Sequence, residues 1–424
     1  MITFPKYEAY QESGVAWLNE VPKHWKVQLG RGYLKPKKVK NTGNKVKTVL
    51  SLSYGKIIVK PEEKLYGLVP ESFETYQIVE PGDIIVRATD LQNDHTSLRI
   101  GLVEDYGIIT SAYLCLQPSE EMDSKFAYYL LHAYDLLKVY YGMGSGLRQN
   151  LDYTDFKYLP LTVPDLEEQK RIVEFLDRKT AEIDEAIAHK QRLIELLQEQ
   201  KAILINQAVT KGLNPNAPMR DSGFDWIGEI PTHWDIVRNR YLFVEQNERS
   251  HDGSETHLSM SQKLGLLPSD ELTEKTLQSE SYEGAKLCKK GDLVLNRLKA
   301  HLGVFSVSPC DGLVSPDYSV FRLINASMTP EYFENLFRTR LYISEFNKRV
   351  KGIVVGFYRL YTGAFYDIPC ICPPDNEQRD IKRRILELHD EFKVVENSIN
   401  FEINKLNELR QTLISESVTG KIKV

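Results

Sequence analysis

Apolar residues recur along this chain with two different periods. In one stretch, Ile381, Ile385, Leu388, Phe392, Val395, Ile399, Glu402, Leu406, Leu409 and Leu413 stand at alternating spacings of four and three, a heptad seam with one polar position. A second stretch has the same spacing at Ile172, Leu176, Lys179, Ile183, Ala186, Lys190, Leu193, Leu197, Gln200 and Leu204, with polar breaks at Lys179, Lys190 and Gln200. Both run for about forty residues without Gly or Pro, which predicts two unusually long helices. Each opens on a proline and an acidic first turn, Pro164-Asp165-Leu166-Glu167-Glu168-Gln169 and Pro373-Pro374-Asp375-Asn376-Glu377-Gln378. Shorter runs rich in branched or aromatic residues predict strands at Asp83 to Arg87, Ser111 to Leu116 and Leu293 to Asn296. Helical spacing predicts further helices over Ser124 to Tyr140 and Thr329 to Lys348.

The pattern occurs twice at a fixed offset, 378 minus 169, or 209 residues. Glu12-Ser13-Gly14 through Trp17 to Pro22, His24 and Trp25 reappears as Asp221-Ser222-Gly223 through Trp226 to Pro231, His233 and Trp234. Gly82-Asp83 likewise returns as Gly291-Asp292. The predicted fold is α+β, with two pseudo-repeated globular domains separated by two long antiparallel helices that form a coiled coil. The expected divisions are 1–163, 164–210, 211–372 and 373–424, with Gly212, Pro215 and Pro218 stopping the first helix. A helix of about forty residues spans roughly 60 Å at 1.5 Å per residue. The breaks at Lys179, Lys190 and Gln200 are the expected docking positions for a partner protein.

Charge and cysteine content narrow the class. A net charge of -5 argues against a generic basic nucleic-acid binder, yet the positive charge is concentrated. From Lys23 to Lys60, cations including Lys35, Lys37, Lys38, Lys40, Lys45 and Lys47 occur without one Asp or Glu. Five scattered cysteines and an N-terminus without an apolar leader predict a soluble cytoplasmic protein with reduced thiols and no membrane span. Cys370 and Cys372, two apart on a predicted strand, are expected to pack in the core.

Motifs for chemistry on this chain are missing. There is no P-loop and no strand-linked dinucleotide fingerprint, and Cys372-Pro373-Pro374-Asp375 is the nearest approach to an amino-methyltransferase signature. Pro164-Asp165 with Glu168-Gln169-Lys170 is superficially like a nuclease pair, but these residues open a helix and read as caps. His24 and His233 recur beside a tryptophan with no evident nucleophile or carboxylate partner, so packing is the expected role. The chain is therefore expected not to be an enzyme.

Two glycine-bearing loops are the better functional candidates. Gly142-Met143-Gly144-Ser145-Gly146-Leu147-Arg148-Gln149-Asn150 aligns with Lys351-Gly352 through Tyr358-Arg359, although the two arginines fall two positions apart. Glycine admits close backbone approach, and Arg, Gln and Asn make bidentate contacts to base edges. The candidate DNA contacts are Ser145, Arg148, Gln149, Asn150, Arg87, Thr89 and Arg99 in the first half. In the second they are Lys263, Asn296, Arg297, Lys299, His301, Tyr358 and Arg359. Lys35, Lys37, Lys38 and Lys45 are candidates for phosphate contacts.

The duplicated Trp-Pro-Trp segment, the Gly-Asp strand, the glycine-arginine loop and the Pro-x-x-x-Glu-Gln helix start together resemble the specificity subunit of type I restriction-modification systems. The resemblance implies two target recognition domains, each reading one half of a bipartite site in double-stranded DNA, with the helices as a ruler. It further implies methyltransferase subunits docked on those helices and a separate motor endonuclease subunit. S-adenosylmethionine, ATP and Mg would then belong to the partners, and no cofactor to this chain. The alternative is a tandem coiled-coil scaffold that bridges proteins without meeting DNA.

Overall fold

A computed structural model describes residues 4–61, 72–146, 149–262, 264–271, 282–352 and 358–424. It is a mixed structure of short strands and helices in two compact units, Met1–Gln191 with Ile399–Val424, and Arg192–Ser398. The helices are α1 (Ser124–Leu136), α2 (Tyr153–Lys157), α3 (Leu166–Lys211), α4 (Pro330–Phe337), α5 (Arg340–Arg349), α6 (Thr362–Tyr366) and α7 (Asp375–Val418). The division between units falls inside α3 and α7 rather than at their ends. Among the described residues no helix is long and apolar enough to cross a membrane.

In the first unit an antiparallel sheet has the order Ile100–Leu102, Ile84–Val86, Leu114–Pro118, Leu34–Lys37. A second sheet joins Gly107–Ile109, Gln77–Val79 and Val39–Lys40, and Leu50–Ser53 with Lys56–Val59 forms a hairpin. The core gathers Leu18, Trp25, Phe126, Leu130 and Tyr134 with Ile172 and Leu176 of α3 and Leu413 and Ile414 of α7. In the second unit the strand order is Phe243–Gln246, Tyr318–Leu323, Leu293–Asn296, Phe305–Val307. Phe243, Phe305, Phe321, Phe337 and Phe365 fill its centre, against Ala208 and Val209 of α3 and Ile381 and Ile385 of α7. Cys370 and Cys372 are buried in that core, where burial pushes the Cys372 thiol up to about 11.

Two predicted helices end earlier than their periodicity implies. The run from Ser124 stops at Leu136, because Lys138 takes a left-handed conformation (φ 60°) before a 3-10 turn at Val139–Gly142. The run from Thr329 is two helices, broken where the Thr339 side chain accepts from the Tyr342 N–H and restarts the chain as α5.

The Glu-Gln pair at the start of each long helix fastens that helix to its unit. Gln169 is fully buried, accepting from the Asp123 N–H (2.8 Å) and donating to the carbonyls of Pro164 (3.0 Å) and Glu121 (3.2 Å). Gln378 is equally buried, accepting from the Thr329 N–H (3.0 Å) and donating to Pro373 O (2.8 Å). Each glutamine thus ties its long helix to the N-terminal end of an earlier helix, α1 or α4. The preceding glutamate holds the histidine of the Pro-x-His-Trp segment. His24 Nε2 lies 2.9 Å from Glu168, and His233 Nε2 lies 2.6 Å from Glu377, both across 144 residues of chain. The expectation that these histidines lack a carboxylate partner is therefore wrong, since the partner comes from the helix cap itself.

The third position of this cluster differs. Tyr7 donates to Glu168 (2.7 Å), with its phenol held well above its ordinary pKa by burial and by that carboxylate, whereas Trp234 Nε1 donates to Glu377 (2.9 Å).

The seam is uneven in burial. Ile172, Leu176 and Ile183 at one end of α3, and Ile381, Ile385 and Leu388 at one end of α7, are buried, while Leu193 is 45% and Val395 44% exposed. Lys190 pairs with Glu402, and Arg410 donates to Asp184 (2.6 Å). Lys190 thus joins the two helices and is not left for a partner. Lys179 pairs with Glu182 on its own helix (2.7 Å), and Gln200 is exposed.

Replacing Gln378 with Leu strands the buried Thr329 N–H and Pro373 carbonyl. Stability should fall by about 2 to 4 kcal/mol, read as a lower midpoint in urea unfolding; an unchanged midpoint would count against the clamp.

Candidate nucleic-acid interface

In each unit the loop that leaves the Gly-Asp strand packs against the loop that precedes the last short helix. The aspartate sets the beginning of that strand. Asp83 accepts from the Glu80 N–H (2.9 Å) and pairs with Lys37 (2.7 Å), and Asp292 accepts from the Lys289 N–H (2.8 Å) and pairs with Arg322 (2.7 Å). Lys37 also reaches Glu80 (2.8 Å) and its side chain is only 13% exposed. It is committed to the fold, which removes it from the phosphate contacts expected of it.

In the first unit the strand Ile84–Val86 runs into a loop wound around Arg99. This arginine is fully buried, and its guanidinium donates to the carbonyls of Arg87 (3.2 Å), Thr89 (2.8 Å), Asp90 (3.3 Å) and Asp94 (2.6 Å). Its own N–H donates to buried Asp135 (2.6 Å). Arg99 is thus the internal brace of the loop, and the expectation that it contacts DNA fails on burial.

Arg87 stays at the surface, paired with Asp94 (3.2 Å) and donating to Ser97 (3.3 Å). Asp94 is held down to about 2, first by the Ser97 N–H and then by the Ser97 hydroxyl, with Arg87 adding to both. Outside the brace lie Gln92, Asn93, His95 and Thr96. His95 stacks on Tyr141 (5.1 Å between ring centres). Sequence reasoning misses these four; their one readable signal is the unbroken polar run from Gln92 to Ser97 after buried Leu91.

The facing loop is a hairpin closed by a bridge between Ser145 and Asn150. Leu151 N–H donates to Ala88 O (2.8 Å) and Asn150 Oδ1 accepts from the Asp90 N–H (3.0 Å), so hairpin and strand-exit loop form one surface. Ser145 and Asn150 are exposed there, and the Thr89 carbonyl is held by Arg99. Gln149 turns inward with φ 51°, its amide donating to Tyr141 O (2.8 Å) and Met143 O (3.0 Å), so it shapes the hairpin instead of reading a base. Arg148 lies outside the described residues.

The second unit builds the same junction with different side chains. Leu360 N–H donates to Arg297 O (3.2 Å), and the hairpin is closed between Lys351 and Arg359. Arg359 therefore stands where Asn150 stands in the first unit. Asp317 gathers both arginines. Its carboxylate lies 3.1 Å from Arg359 and 3.7 Å from Arg297, while its carbonyl accepts from Arg297 Nε (2.6 Å). His301 meets the exposed Tyr358 edge to face (6.0 Å), and Lys299 lies in the same turn as His301. Asn296 is buried and caps the turn at Arg297–Leu302, accepting from the Leu298 and Lys299 N–H groups, so its amide is structural. Lys263 lies outside the described residues, and Lys35, Lys38 and Lys45 lie on other strands and turns of the first unit.

Residues 35–196 match the family described as type I restriction modification DNA specificity domain. The chain is 20% identical over 452 residues to the type I restriction enzyme MjaX specificity subunit of Methanocaldococcus jannaschii, covering 100% of this chain and 99% of that protein. It is 21% identical over 289 residues to the type I restriction enzyme EcoKI specificity subunit of Escherichia coli K12, covering 64% of this chain and 60% of the relative. A solved structure described by complex assembly and conformational transition of the type I R-M system superposes with a TM-score of 0.61 at 15% identity. It covers 94% of this chain and 98% of its own, a likeness of fold. Residues 35–196 thus carry the likeness to a DNA specificity domain, and along its whole length the chain is similar to a specificity subunit of a type I restriction-modification system.

Arg99→Met leaves four carbonyls of the strand-exit loop without their donor. Stability should fall by about 3 kcal/mol or more, and amide exchange should rise selectively in residues 88–98. Uniform exchange across the first unit would mean that Arg99 does not brace this loop.

Proposed function

We propose that each unit reads one half of a bipartite, asymmetric DNA site, and that the long helices set the gap between the halves and dock the methyltransferase subunits. The observation that carries the reading is the shared junction. Leu151 to Ala88 in one unit and Leu360 to Arg297 in the other hold a hairpin against a strand-exit loop by the same backbone bond. The side chains presented there are unlike, with Asn150, Asn93 and His95 in the first unit and Arg359, Lys299 and Tyr358 in the second. One framework with two sets of reading groups fits two different half-sites.

The opposed order of the cross-helix bonds supports an antiparallel coiled coil. Asp184 reaches Arg410, and Lys190, further along α3, reaches Glu402, earlier on α7. The apolar side chains left open on the helices are a better docking surface than the polar breaks in the seam. Leu193 (45%), Leu196 (45%), Ile203 (50%), Leu386 (56%) and Val394 (69%) stay exposed in the second unit. Methyl transfer with S-adenosylmethionine, and ATP- and Mg-dependent cleavage, are assigned to the methyltransferase and motor endonuclease subunits.

Duplex binding by the complex with its methyltransferase subunit, measured across a salt series, tests the reading. A steep fall of affinity with salt is expected, and a flat response would favour the protein scaffold. Arg359→Ala should relax preference at a single half-site by about 1 to 3 kcal/mol, visible in a map of methylated sites; equal loss at both halves would refute it. Leu196→Asp should weaken methyltransferase copurification about tenfold, since one buried aliphatic contributes roughly 1.5 to 3 kcal/mol, without lowering the chain's own melting temperature. Full retention of the partner would move the docking surface elsewhere.

A further inference from the structure

The two units differ in charge along one strand-and-turn segment that the junction does not use. In the first unit it runs from Lys35 to Lys60. Lys35, Lys38, Lys40, Lys45, Lys47 and Lys56 are all exposed, and among the described residues none of them pairs with a carboxylate. The segment is ordered. Buried Asn41 donates to Val46 O (2.9 Å) and accepts from the Val46 N–H (3.0 Å), closing the turn that carries Lys45. Val39 and Lys40 pair with Ile78 and Gln77, and Lys60 N–H donates to Val49 O (2.8 Å), which brings the end of the segment back beside Val49. Glu74, which accepts from the Gly43 N–H (2.8 Å), is the acid these bonds tie to the turn.

The corresponding segment of the second unit is built with acid. Asn41 N–H donates to Tyr76 O and Ser250 N–H to Ala285 O, so Ser250 holds the place of Asn41. Its turn is closed through a carboxylate, because the Ser250 hydroxyl donates to Glu255 (2.5 Å) and accepts from the Gly253 N–H (2.8 Å). Glu248, Asp252 and Glu255 are exposed, and Arg249 is the described cation at the place of Lys40. Cations that face no partner acid release condensed counterions on meeting a duplex, whereas a face of carboxylates repels the same phosphates.

We infer that the Lys35 to Lys60 segment is a sequence-independent clamp for the phosphate backbone, carried by the first unit alone, so that the halves contribute unequally to salt-dependent affinity. The inference rests on the DNA-recognition reading above and adds to it a division of labour. The first unit supplies grip on any duplex, and the second depends on its arginine junction for the bases it meets.

The test uses the full chain in complex with its methyltransferase subunit and a duplex of random sequence, from about 50 to about 200 mM salt. Replacing Lys40, Lys45 and Lys47 together with Gln should reduce the slope of log affinity against log salt by about 2 to 3, at about 0.9 for each phosphate no longer neutralised. The sequence preferred for methylation should stay as it was. Arg249→Gln should leave the slope unchanged. Because these side chains are exposed, an unaltered thermal melt separates a weaker grip on the duplex from a failure to fold. An unchanged slope in the triple variant overturns the clamp and leaves target recognition standing, and an equal loss per residue from Arg249→Gln overturns the asymmetry. Failure of the complex to bind any duplex overturns the clamp together with the recognition reading.

Discussion

A buried side-chain amide at the first turn of each long helix is the constraint on which the rest depends. A long helix docked on a small unit must leave that unit at a defined angle, and a hydrophobic stripe alone permits sliding and rotation. Gln169 and Gln378 remove that freedom, because each amide bonds backbone groups at the start of an earlier helix and at its own helix start. Such bonds are directional, and leaving a buried backbone group unpaired costs about 1 to 3 kcal/mol, so one alignment is selected over near neighbours. The adjoining glutamates add a link to the Pro-x-His-Trp segment, a second point of attachment for the helix start.

This architecture is legible in the sequence to the extent that its parts are framework. The Glu-Gln start, the Gly-Asp strand and the Trp-Pro-Trp segment each stand twice in the chain because each makes a bond that the fold requires in both units. Their pairing is not legible. The carboxylate that meets His24 lies 144 residues away in a stretch that reads as a helix cap, and nothing local marks it as a partner. Helix ends depart from expectation where a single residue decides the outcome, as with left-handed Lys138 and the Thr339 cap, since periodicity carries no information about either.

The candidate contacts divide along the same line. Side-chain type alone cannot separate an arginine that reaches outward from one that braces a loop, and Arg99 has the composition of the first and the burial of the second. Gln149 and Asn296 are drawn in for the same reason, their amides serving the loop backbone. The alignment of the two glycine loops fails at the arginines because matching residues by type ignores the closing bridge. Once the bridge sets the register, Asn150 and Arg359 are counterparts. The pair shares a place but not a chemistry, an amide in one unit and a guanidinium in the other.

The overall acidity, which argues against DNA binding, loses its force when the acids are assigned tasks. Asp83 and Asp292 order strand beginnings, Glu168 and Glu377 secure the helix starts, and Asp184 and Glu402 join the helices. Within the junctions, Asp317 draws Arg297 and Arg359 together, and Asp94 holds Arg87. A carboxylate in that position lowers the general attraction of the site for phosphate while restricting where its arginines can point. On the proposed reading of these junctions, that combination weakens non-specific adhesion and stiffens the contact geometry, the direction in which discrimination between sequences increases relative to total affinity.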